Sequence, residues 1–194
     1  MTDIPFYVLT VLTILCVPGP TNTLLATGAA TLGTWRALPL AFAEIAGYCT
    51  SIFTIKTLVR QITTDLSVLR VSFRLLVACY LLWLAWRLFR QADVIGNVRN
   101  VIKPQRVFLT TLLNPKAAIF ALGVIPFQTT GLWVYLTIFV LALLATGIGW
   151  IIIGATLGKL ASTSGHTRTI PRVGAAIISI FALVLLVTTI SQMT

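Results

Sequence analysis

Residues 13–25 read TILCVPGPTNTLL, and the fold turns on how that stretch is understood. Pro18 and Pro20 each lack a backbone N–H, and each ring clashes with the carbonyl one turn earlier, so a helix cannot run through them undisturbed. In a soluble chain they would simply end a helix. Here apolar sequence resumes at once, so one hydrophobic run carries an internal break followed by the polar residues Thr21, Asn22 and Thr23.

The rest of the chain is equally apolar. Its 194 residues are 58% hydrophobic and only 9% charged, with a mean hydropathy of +1.00. Soluble domains carry about a quarter charged residues. Six stretches, 5–27, 37–56, 69–89, 107–127, 132–157 and 172–190, approach or exceed the ~20 residues that span a bilayer as a helix. The composition predicts an all-α integral membrane protein, one transmembrane domain over 1–194. The opening MTDIPFYVL has no basic leader or small-residue cleavage pattern and reads as the first span.

The net charge of +10 is scattered through short connectors. It fits topology signals and contact with anionic lipid headgroups, and no basic arm gathers it for nucleic acid. Cys16, Cys49 and Cys79 lie in apolar runs without a CxxC pair, which predicts no disulfide framework. No cofactor is expected.

The connector at 91–105 divides the chain into 1–90 and 106–194, three spans each. Odd-numbered halves have opposite orientations, so the expectation is two inverted three-helix repeats with broken first and fourth helices. No residue-level repeat supports this; it follows from counting spans. Arg36, Arg87, Arg90, Arg99, Lys103, Arg106, Lys159, Arg168 and Arg172 fall on one side, against Lys56, Arg60, Arg70 and Arg74 on the other. Nine to four makes the first side cytoplasmic and puts both termini outside, although 56–74 is itself basic. Trp35, Trp83, Trp86 and Trp133 fit interfacial belts. Gly147, Gly154 and Gly158 form a small-residue face suited to close helix packing.

A second break, LLNPKAAIF at 112–120, matches the first. Backbone groups freed in hydrocarbon need partners from protein or water, and Asn22 and Asn114 stand at these places. With a ~1.5 Å rise per residue, Pro18 lies ~20 Å from the outer start of its span and Asn114 ~10 Å from the inner start of its own. In a ~30 Å core the two breaks therefore share a depth. Two proline kinks without a site are the plainer alternative. Glu44 is the one acid well inside an apolar run, and Lys116 follows the second break. Buried charges in a membrane pair or line a polar cavity. The two form an ion pair, or together hold an amino acid's ammonium and carboxylate, or Lys116 snorkels to the interface. The candidate substrate site is Pro18, Gly19, Pro20, Thr21, Asn22, Asn114, Pro115 and Lys116, with Tyr48 counted among them. Glu44 is the candidate proton-coupling group.

These residues carry a resemblance. The chain resembles the lysine exporter superfamily, in its homoserine/threonine resistance branch of small amino-acid exporters. That pattern has PGP, matched by Pro18, Gly19 and Pro20, then an asparagine where this chain has Thr21; Asn22 matches a subset with a second Asn. Its second signature looks like Phe108, Asn114, Pro115, Lys116, Ala117, Ala118 and Phe120, then Pro126, Phe127 and Gln128. Of its glycine ladder Gly33 and Gly47 are kept, while Ala37 and Ala43 replace glycine. The resemblance spans the whole chain. It implies secondary active export of amino acids or close derivatives through a bacterial cytoplasmic (inner) membrane, driven by an ion gradient, protons first. A small-molecule substrate and membrane lipid are the implied partners, with a homo-oligomer left open.

Other readings compete. A heavy-metal exporter of the same superfamily would want several converging ligands, and Cys16 and Cys49 are candidates while His166 sits in a connector. A thiol oxidoreductase needs an exchanging thiol pair that the fourth span lacks. GATLGKL at 154–160 is one residue short of a phosphate loop and lacks its Ser/Thr, so ATP drive has no support. A purely structural role remains.

Overall fold

The structure, a computed structural model, describes residues 3–61, 67–93, 102–163 and 169–191. Over these it is all-helical: α1 (Ile4–Cys16), α2 (Pro20–Leu32), α3 (Thr34–Gln61), α4 (Ser67–Asp93), α5 (Pro104–Leu112), α6 (Pro115–Ile119), α7 (Leu132–Thr163) and α8 (Thr169–Ile190). Helix α6 continues into a π-helical turn, Phe120–Val124. Most of the expected connector, residues 94–101, lies outside the described residues, as do His166 and Arg168.

Both proline sites break their helices. Ahead of Pro18, Val17 is driven to extended backbone (φ −58°, ψ 127°), as residues before proline are. Gly19 is also extended, and Pro20 opens α2 at its first position, where its missing N–H removes nothing from the ladder. The axis bends by 62° between α1 and α2, and by 47° between α5 and the α6 segment. Between α2 and α3, Gly33 takes φ +76°, a left-handed value that favours glycine and lets α3 start immediately.

Among the described residues three helices are long and apolar enough to cross a membrane: α3 over Thr34–Leu58, α7, and α8 over Arg172–Ile190. If each bent pair is one span the number rises to five. Exposed Leu141, Ile152, Ile153, Ile180, Leu183, Val184 and Val187 give α7 and α8 outer faces that suit hydrocarbon. The chain is a multi-pass membrane protein.

The helices interlock across the two halves. Helix α2 packs along α7, α3 along α5, and α4 along α8. Two buried apolar clusters result. One joins Leu24, Leu25, Leu40, Ala41, Leu84, Ile151 and Ile178; the other joins Tyr7, Val11, Tyr48, Phe120, Phe139 and Leu143. Along α3, Glu44 falls between Ala41 of the first and Tyr48 of the second. Along α7, Gly147 falls between Leu143 and Ile151. Glu44 therefore sits at the seam between the two clusters.

The small-residue face on α7 works at two of its three positions against α2. A Cβ at Gly154 would overlap the carbonyl of Ala26, and one at Gly158 that of Ala30. Bare glycine thus sets the closest approach of the two helices.

Candidate functional site

Each break brings its own cap. The α1 C-terminus has carbonyls that Pro18 and Pro20 cannot meet, and Asn22 turns its amide back onto them. Asn22 Nδ2 donates to Leu15 O at 2.8 Å and to Val17 O at 3.1 Å. Both amide hydrogens therefore serve the broken helix. At the other break Asn114 is the N-cap of α6, its Oδ1 accepting from the Lys116 backbone N–H at 3.0 Å, the usual office of asparagine there. Pro115 follows at the first helical position.

The two breaks meet. Asn114 Nδ2 donates to the hydroxyl of Thr21 at 3.0 Å and to that of Tyr48 at 3.3 Å. Thr111, one turn earlier on α5, has its one hydroxyl proton within reach of both Val107 O at 2.8 Å and Thr21 Oγ1 at 3.2 Å. Thr21, Thr111 and Tyr48 are fully buried, and Asn114 nearly so. Lys116 Nζ crosses in the opposite direction and donates to Val17 O at 2.5 Å. A Cβ on Gly19 would lie 3.4 Å from Lys116 Cε and 3.5 Å from Nζ, so the ammonium rests beside the uncapped start of α2.

Of the nominated residues, the structure brings Thr21, Tyr48, Asn114 and Lys116 into one cluster, with Gly19 against Lys116. Pro18, Pro20 and Pro115 shape the backbone. Asn22, a candidate substrate-site residue at the first break, instead turns its amide to α1, and Thr21 meets Asn114. Thr111 was missed, as was Ser51, whose hydroxyl donates to Leu112 O at 2.8 Å at the end of α5. Hydroxyl residues inside apolar spans, Ser51, Thr21, Thr110 and Thr111 among them, were the available signal.

Glu44 is 2% exposed. Its Oε2 has no hydrogen-bond partner, and no ion pair joins it to Lys116, whose ammonium is engaged at Val17. The carboxylate faces α7, where a Cβ on Gly147 would lie 2.8 Å from Oε2. Gly47 plays a similar part on α3: a Cβ there would come within 2.7 Å of Thr111 Cβ and 2.9 Å of Phe108 O, so glycine lets α3 close onto α5.

Among the described residues no group of three His, Cys, Asp or Glu side chains converges for a metal; Cys16 is exposed and Cys49 half-buried. What converges is a cation, two helix starts, an amide and three hydroxyls, with a buried carboxylate one helical turn from Tyr48.

No curated protein and no solved structure matches the chain. The model of the LysE type translocator family matches residues 12–189, from before the first break to the end of α8. The chain therefore belongs to the LysE type translocator family, membrane exporters of amino acids or small metabolites and not enzymes.

Proposed function

We propose that this chain is a proton-driven secondary exporter of amino acids or close derivatives, of the homoserine/threonine resistance branch, in the bacterial cytoplasmic membrane. The observation that carries the reading is the contact between the two helix breaks, Asn114 to Thr21 at 3.0 Å. Paired discontinuous helices in two halves of a membrane chain mark transporter binding sites.

In this reading the substrate carboxylate takes the place of Val17 O at the Lys116 ammonium, over the positive end of α2. Thr21, Tyr48 and Asn114 orient it by hydrogen bonds, and Glu44 carries the coupling proton. The helix pairing supports the inverted repeat. If α1–α2 corresponds to α5–α6, α3 to α7 and α4 to α8, the α1–α7 contact has its counterpart in α5–α3, the α2–α7 contact in α6–α3, and α4–α8 maps onto itself. Six spans in that arrangement put both ends on one side, and the nine-to-four distribution of basic residues makes it the outside.

The test is transport by the purified chain in lipid vesicles, with labelled amino acids and an imposed pH gradient. The expected result is gradient-dependent movement abolished by a protonophore. Movement that ignores the gradient removes proton coupling, and no movement of any amino acid removes the substrate class.

A further inference from the structure

Trp83, Trp86, Arg87 and Arg90 recur at helical spacing and share an exposed face near the end of α4. Each arginine lies over the tryptophan one turn before it. Arg87 Cζ is 5.2 Å from the Trp83 ring centre, and Arg90 Cζ is 5.1 Å from that of Trp86. A ring covers the face of a planar guanidinium and leaves its N–H edge, the edge that forms paired hydrogen bonds to a phosphate or carboxylate. Among the described residues no acid pairs with Arg87 or Arg90. A second helix adds to the patch. Arg106, half-buried in the first turn of α5, comes close enough to Arg87 for the two guanidiniums to repel. That turn holds no acid, and the helix dipole is positive there. Between the two helices the Tyr80 hydroxyl is 2.9 Å from Thr110 Oγ1, and the Tyr80 ring stands 5.9 Å from that of Trp83.

Two like charges carried by separate helices to one place call for an anion between them. The end of α4 and the start of α5 hold Arg87, Arg90, Lys103 and Arg106 against one acid, Asp93. Indole rings such as those of Trp83 and Trp86 favour the headgroup layer, where the abundant anion is a lipid phosphate. A zwitterionic headgroup brings its own cation, so an excess of positive charge selects lipids with a net negative charge. We propose that Arg87 and Arg106 bind the phosphate of an anionic phospholipid between α4 and α5, with Trp83 beside the headgroup and Arg90 adding to the attraction. The bound lipid offsets the repulsion between the two arginines and holds the start of α5 to α4. Thr110, on that contact, is followed by Thr111, which reaches Thr21 where the breaks meet. Nothing in this site depends on what the chain exports.

The experiment places the full chain in phosphatidylcholine nanodiscs with increasing shares of phosphatidylglycerol that carries brominated acyl chains, and reads tryptophan quenching. Subtracting the signal of Trp83→Phe isolates Trp83. Half-quenching is expected at a mole fraction about tenfold below that needed with brominated phosphatidylcholine. Arg87→Gln lowers this preference about fivefold. Because Arg87 is exposed and its loss relieves repulsion, the variant keeps its fold, checked by circular dichroism. Arg87→Lys also loses most of the preference, since an ammonium keeps the charge without the paired donors. Lys56→Gln removes an equal charge from the contact with Phe127 and leaves the preference unchanged. Added inorganic phosphate does not relieve the quenching. Equal quenching by the two lipids overturns the proposal, as does a preference that Arg87→Gln or Arg87→Lys leaves intact. A loss with Lys56→Gln as large as that with Arg87→Gln reduces the effect to net charge and overturns it too. Relief by inorganic phosphate makes the site one for a free anion and overturns the lipid assignment.

Discussion

The side-chain amide of Asn22 bridges the first break, with Nδ2 2.8 Å from Leu15 O and 3.1 Å from Val17 O. A side chain at the start of α2 thus completes the end of α1. Val17 O also accepts from Lys116, so Leu15 O depends on Asn22 more heavily. Asn22→Ala is expected to lower stability by about 1–3 kcal/mol, the penalty for a buried unpaired polar group. Asn22→Asp is expected to be worse, since it sets carboxylate oxygens against carbonyl oxygens. Thermal unfolding of the reconstituted chain, followed by circular dichroism, ranks the three; an aspartate variant as stable as the parent contradicts the bridge.

Glycines on α7 separate packing from mere helix content. Gly154→Ala would drive a methyl into the Ala26 backbone and is expected to destabilise by about 1–3 kcal/mol or more, as overpacking does. Gly149, five residues earlier, has nothing within 4 Å of the same added carbon. There alanine is expected to be neutral or to stabilise by up to about 1 kcal/mol through helix propensity. Equal melting temperatures for the two variants would refute the α2–α7 contact.

The breaks and their common depth were legible because proline acts locally and helical rise is constant. Pro18, Pro20 and Pro115 are enough to place them. The small face of α7 was legible in its spacing, but that it meets Ala26 and Ala30 was not, because spacing names no partner. Nor was the division of labour between neighbours: Thr21 and Asn22 differ by 100° around a helix, so one faces α5 and the other folds back on α1. Glu44 and Lys116 were both legible as buried charges. That Lys116 reaches Val17 and leaves Glu44 Oε2 unpartnered depends on two breaks meeting in space.

Orientation is tested chemically. With Cys16, Cys49 and Cys79 replaced by serine, Asn97→Cys in the 91–105 connector is expected to react with an impermeant maleimide only after permeabilisation. The expectation rests on the nine-to-four distribution of basic residues. Labelling in intact cells reverses the topology and moves both termini to the cytoplasm.

Glu44 provides the sharpest test of coupling. Among the four acids it is buried at the seam between the two apolar clusters, against Gly147 on α7. A helix rearrangement there would expose it to one side of the membrane and then the other. Glutamine has nearly the same shape, so Glu44→Gln removes the charge and the proton without enlarging the side chain. If Glu44 carries the coupling proton, the variant loses gradient-driven export and keeps exchange of labelled for unlabelled substrate, because a permanently neutral carrier still cycles. If Glu44 only balances the Lys116 ammonium, the variant instead leaves a lone buried cation. Exchange and export then fall together with stability, and adding Lys116→Met restores them. The two outcomes separate in one pair of assays, counterflow and pH-gradient transport, on Glu44→Gln and the double variant. Full gradient-driven export by Glu44→Gln excludes the coupling role.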